Sequence, residues 1–80
     1  MLKIKDNIDL KELEKYGFKN KGCNYRQKFD YKYYEVEIII ELDRKYIIIQ
    51  NDYYDSDFAC YLPNVLYDLI KDGLVEKVDN

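Results

Sequence analysis

Eighty residues with 36% charged side chains and a formal net charge of −3 bound one small domain, near the size where burial only just offsets chain entropy. Histidine is absent, which removes Ser-His-Asp and Cys-His pairs, His-ligated zinc and the usual general base near neutral pH. With Ser56 the only serine and no threonine, the composition argues against an enzyme and implies no catalytic residue, no metal and no cofactor.

No apolar run approaches the roughly 20 residues needed to span a bilayer, and the longest are Ile38-Ile39-Ile40 and Tyr46-Ile47-Ile48-Ile49. Lys3, Lys5, Asp6 and Asp9 near the N-terminus, with no apolar stretch behind them, speak against a signal peptide and for a cytoplasmic protein. Cys23 and Cys60 read as a reduced, buried pair; one disulfide between them stays open, because spacing does not say whether they meet.

In chain order, Leu2-Lys3-Ile4-Lys5 alternates like a short strand. A helix follows over residues 10–16. Asp9 and Glu12 form a capping box, Ile8 and Leu13 a hydrophobic staple, and Tyr16-Gly17-Phe18 a stop in which Phe18 folds back on Leu13. Residues 19–24 read as a loop.

A β-region comes next. Tyr25, Gln27, Phe29 and Tyr31 share one face and Arg26, Lys28 and Asp30 the other; a turn near residues 31–33 leads to a stronger strand at 34–42. There Tyr34, Val36, Ile38, Ile40 and Leu42 point to a core, while Glu35, Glu37, Ile39 and Glu41 point to water. Asp43-Arg44-Lys45 turns the chain into a return strand at 46–50, whose register is open: a two-residue turn puts Ile47 and Ile49 inward, a three-residue turn Tyr46 and Ile48.

Residues 51–61 form an acidic, aromatic connection without sustained period. Pro63 then suits the first turn of a second helix with Leu62, Val65, Leu66, Leu69 and Ile70 at helical spacing. Asp72-Gly73-Leu74 repeats the first stop, and 75–78 closes as a strand beside residues 2–5. The expected fold is α+β over 1–80: a three-stranded antiparallel meander, extended by short terminal strands, with two helices on one face in the order β-α-β-β-β-α-β.

Charge and tyrosine are unevenly spread. Residues 1–28 hold eight Lys/Arg against four Asp/Glu, a net +4, and residues 29–80 carry a net −7. Ten tyrosines cluster in part at Tyr31, Tyr33 and Tyr34 and at Tyr53, Tyr54 and Tyr61, beside Asp52, Asp55 and Asp57 and the Glu35, Glu37 and Glu41 stripe. Tyrosine is favoured at binding surfaces because it is large and amphipathic.

Strand rise sets Glu35 and Glu37 about 7 Å apart, about two nucleotide steps. Glu35, Glu37, Glu41, Asp52, Tyr53, Tyr54, Asp55 and Asp57 are therefore the candidate partner-binding residues, offering a phosphate-like track to a nucleic-acid-binding groove. Surplus tyrosine from an A/T-rich genome and ordinary edge protection are the bland reading. Asp52, Asp55 and Asp57 lack the Gly and closing Glu of a calcium loop.

Direct nucleic-acid binding is the alternative. It would use Lys11, Lys15, Lys19, Lys21, Arg26 and Lys28, with Tyr25 and Phe29 stacking on bases. A small-ligand-binding oligomer is a third reading, and an outward Ile39 beside Ile48 would suit a homodimer.

LKIKDNIDLKELEKYGFK and VLYDLIKDGLVEKV resemble a loose group of small uncharacterised proteins encoded by phages and mobile elements of low-GC Gram-positive bacteria. The resemblance implies an accessory factor that acts by stoichiometric binding to a larger host or phage protein, such as a nuclease, in the manner of anti-CRISPR and other anti-defence inhibitors.

Overall fold

The computed structural model describes residues 1–31, 35–52 and 63–78, with backbone only at 51 and 52. Its elements are β1 (Leu2–Ile4), a 3₁₀ helix (Leu10–Tyr16), β2 (Lys19–Asn20), β3 (Asn24–Asp30), β4 (Glu35–Glu41), β5 (Ile47–Asp52), α1 (Asn64–Lys71) and β6 (Val75–Lys77). The fold is α+β with two antiparallel sheets. One is the meander β2-β3-β4-β5 and the other the pair β1-β6.

Three details differ from expectation. The first helix is 3₁₀ rather than α, and only half of its capping box forms. The Asp9 carboxylate accepts from Lys11 N at 3.0 Å, but Glu12 turns to the Lys15 ammonium at 2.9 Å. The segment read as a loop contains β2, two residues long and too short to show a period, paired Lys19 to Arg26 and Asn20 to Tyr25. The terminal strands pair with each other, and among the described residues their backbone hydrogen bonding to the meander is a bridge between Lys3 and Tyr46 with the Ile4 N to Lys45 O bond, 2.9 Å.

Both helix stops form as expected, and they are alike. Gly17 lies at φ 93° and Gly73 at φ 80°, the left-handed region that glycine enters at no steric cost. Phe18 N bonds Leu13 O at 3.2 Å and Leu74 N bonds Leu69 O at 3.0 Å, each closing the last turn while a buried apolar side chain folds back behind it. Tyr16 then joins the two ends, its hydroxyl donating to the Asp72 carboxylate at 2.7 Å. That bond, with partial desolvation, holds the phenol up at about 12.

The register of the β4–β5 hairpin is settled. Ile40 faces Ile47 and Ile38 faces Ile49, so Ile47 joins the core, whereas Ile39 faces Ile48 on the opposite side. The inner face of the meander contributes Tyr25, Ile38, Ile40 and Ile47 to one cluster. Leu13 of the 3₁₀ helix, Phe18, Leu66 and Leu69 of α1, Leu74 and Ile4 complete it. Both helices therefore cover the same face.

Within α1 only Leu66 and Leu69 are buried. Ile70, expected inward, is exposed beside Tyr67 because it falls past the edge of the apolar stripe. Cys23, expected to be buried, is exposed in the β2–β3 turn and free, while Cys60, Leu62 and Tyr34 lie outside the described residues.

Lys45 closes the hairpin at φ 61°, the one non-glycine residue with positive φ among those described. Its ammonium donates to the Asp6 carbonyl at 3.1 Å and the Ile8 carbonyl at 2.9 Å, satisfying backbone acceptors in the turn between β1 and the 3₁₀ helix. Lys45→Met keeps the aliphatic stem and removes both bonds. We expect it to lower unfolding free energy by about 1–2 kcal/mol, read from denaturant midpoints at unchanged m.

Candidate functional site

Residues directly opposite one another in a sheet share a face, so the register lays out the side of the meander turned away from the helices row by row. One row is Lys19–Arg26–Ile39–Ile48, the next Lys28–Glu37–Gln50, and the last Asp30–Glu35, with Asp52 at the register position beyond it. Two like-charge rows thus stand at opposite ends of one face. The basic end comes from β2 and β3, and the acidic end is where β3, β4 and β5 meet.

The expected acidic stripe is half-exposed and partly engaged by cations of the neighbouring strand. Glu37 is half-buried and lies 3.4 Å from the Arg26 guanidinium, and Glu35 lies 3.3 Å from the Lys28 ammonium. Its hydrogen bond to Glu35 raises the Lys28 ammonium above its ordinary value. Glu41 sits half-buried at the hairpin end, opposite Asn24. Ile39, expected to face solvent, is only 5% exposed, so the apolar stripe expected to suit a dimer is not open at this position.

The physical reason is the neighbouring strand. Arg26 and Lys28 alternate on β3 in the same phase as Glu35, Glu37 and Ile39 on β4, and antiparallel pairing brings them together. Asp52 ends β5 opposite Glu35. Tyr53, Tyr54, Asp55 and Asp57 lie outside the described residues.

The basic residues converge more than the spacing alone indicates. Lys19, Lys21, Arg26 and Lys28 line a cleft of about 420 Å³ together with Gly17, Gln27 and Glu37. Lys19 reaches it because β2 pairs against Arg26, and Lys21 because its amide bonds the Asn24 carbonyl at 2.8 Å across the turn. Lys11 and Lys15 are elsewhere, on the exposed side of the 3₁₀ helix, with Lys15 engaged by Glu12. Tyr25 is 4% exposed in the core and cannot stack on a base; Phe29 packs partly buried against the same core.

Gly17 and Gln27 are the cleft residues to which composition does not point. The Gln27 amide lies so close over Gly17 that a Cβ there would sit 2.6 Å from its nitrogen. Its oxygen is buried without a hydrogen-bond partner among the described residues. Only the Gly17 stop, followed after Phe18 by Lys-Asn-Lys, hints that this turn meets β3.

Among the described residues no three Asp, Glu or Cys side chains converge as a metal site would require, and no helix is long and apolar enough to cross a membrane. Scans against protein-family models, curated proteins and solved structures find no match to this chain.

Proposed function

We propose that this protein is a non-catalytic, stoichiometric binding factor of phage or mobile-element type. It engages a basic, nucleic-acid-binding surface of a larger host or phage protein, such as a nuclease, through the acidic end of its meander.

The observation behind this reading is the Asp30–Glu35 pair, with Asp52 at the register position beyond it. Like charges directly opposite cost a sheet stability, and Lys28 is the one described cation that pairs there. A row that disfavours the free fold is favoured again once a cationic partner covers it. From Asp52 the chain runs directly into Tyr53-Tyr54-Asp55-Ser56-Asp57, the composition of a binding segment with amphipathic anchors and flanking charge.

The test is capture from host lysate with the folded protein, followed by competition with duplex DNA. The wild-type chain should retain one basic protein that DNA displaces. The variant Asp52→Asn, Asp55→Asn, Asp57→Asn, with an unchanged circular dichroism spectrum, should bind that protein roughly tenfold or more weakly. Equal capture by the variant would put the contact on another face.

A further inference from the structure

The cleft beside the β2–β3 ribbon carries charge that the fold leaves uncompensated. Its lining of Lys19, Lys21, Arg26, Lys28 and Glu37 has a formal charge of +3. Arg26 is held on two sides, its Nε donating to Asn24 Oδ1 at 3.1 Å and its Nη1 to Glu37 Oε1 at 3.4 Å. Lys28 is held by Glu35.

Lys19 and Lys21 are different. Both are exposed, and among the described residues no side-chain hydrogen bond or ion pair involves either ammonium. The register nevertheless fixes Lys19 directly opposite Arg26, a like-charge pair that a bound anion would relieve. Two preset cations and two unengaged ones thus surround one concavity, and presetting lowers the ordering cost of binding.

The size of the anion is limited by the rest of the face. The Asp30–Glu35 row lies four residues along β3 from Arg26, about 13 Å at strand rise. A polyanion laid along the strands would run from the cleft onto that acidic row. A ligand seated at the Lys19–Arg26 end of the cleft avoids most of it, because screening at physiological salt acts over about 8 Å, whereas Lys28 at the other end already lies 3.3 Å from Glu35. The chain's net charge of −3 adds to the penalty for a long polyanion. At about 420 Å³ the cleft matches small-molecule sites, which run from roughly 300 to 1,000 Å³.

We propose that this cleft binds a compact phosphorylated small molecule with two adjacent phosphoryl groups, of the inorganic pyrophosphate or nucleoside diphosphate class. Lys19 and Lys21 close on the phosphoryl oxygens, and the guanidinium of Arg26 and the ammonium of Lys28 form the fixed wall. No bond is made or broken.

Inorganic pyrophosphate, without divalent metal, is the probe. Titrated into the ¹⁵N-labelled chain, it should shift the amides of Gly17, Lys19, Lys21, Arg26, Gln27 and Lys28 along one saturable curve. Lys19→Ser with Lys21→Ser should weaken binding roughly tenfold or more, and Lys21→Ser alone roughly threefold. Lys71→Ser with Lys77→Ser removes the same charge elsewhere and should change affinity by less than about twofold. The ¹⁵N spectrum of each variant reports whether the fold is intact.

Absence of a saturable response at millimolar pyrophosphate would overturn the proposal. So would an equal loss in the two double variants, since that is the behaviour of diffuse charge. Tighter binding of a short DNA duplex through the same amides would overturn the compact-ligand assignment in favour of a nucleic-acid surface.

Discussion

Leu13→Ala lowers the unfolding free energy by about 2–5 kcal/mol, a marked drop in the denaturant midpoint. Leu13 is fully buried, and it has two tasks. Its side chain enters the cluster shared by the meander, α1 and Ile4, while its carbonyl accepts the Phe18 amide that ends the 3₁₀ helix. Truncation keeps the carbonyl bond but opens a cavity in the cluster that Phe18 shares. A chain of this length has a total stability of roughly 4–12 kcal/mol, so the loss is a large share of it. Leu10→Ala, at a half-buried position on the same helix, should cost clearly less in the same urea titration. Equal losses would mean that the 3₁₀ helix contributes through its backbone rather than through Leu13.

The second large effect distinguishes the two glycine stops. Gly17→Ala and Gly73→Ala both force alanine into a left-handed backbone, at about 1–2 kcal/mol each. At Gly73 nothing lies within 4 Å of the new methyl group, so the backbone term is the whole cost. At Gly17 the methyl meets the Gln27 amide nitrogen at 2.6 Å, so the flexible end of that half-buried side chain has to swing aside. Gly17→Ala should therefore destabilise by at most about 1 kcal/mol beyond Gly73→Ala, measured by denaturant midpoints. Adding Gln27→Ala should remove most of that excess. If it does not, the excess lies in the backbone at Gly17 and not in the contact.

The parts of this fold that are written locally are the parts a reader of the chain can recover. Both stops are visible because a glycine followed by an apolar residue is a complete instruction within a short stretch of chain. The core face of β4 is visible because Val36, Ile38 and Ile40 repeat with period two. The hairpin register is not, since the run Tyr46-Ile47-Ile48-Ile49 fits either face. The choice rests on the turn, where Lys45 takes a positive φ that its residue type does not announce. Neither is β2, whose two residues gain strand geometry only from Arg26 and Tyr25 opposite.

The character of the outer face is half legible. The alternation Arg26, Lys28 and the alternation Glu35, Glu37 are each plain, but their mutual pairing needs the strand register. Residues that advertise charge can neutralise one another once the strands meet. The charge left over sits instead at Lys19 and Lys21, while at the far end of the sheet Asp30 stands opposite a Glu35 already engaged by Lys28.

The pairing of β1 with β6 bears on how the chain assembles. The hairpins of the meander close over loops of a few residues, whereas Ile4 meets Val75 across a span of about 70 residues, an entropic difference of about 2–3 kcal/mol. The meander can take shape from near neighbours in the chain. The terminal ribbon has to wait until β1 and β6 have found each other. Ile4, fully buried in the finished core, is thus sealed in by the most distant partnership the chain makes, and that ribbon is where opening recovers the most chain freedom.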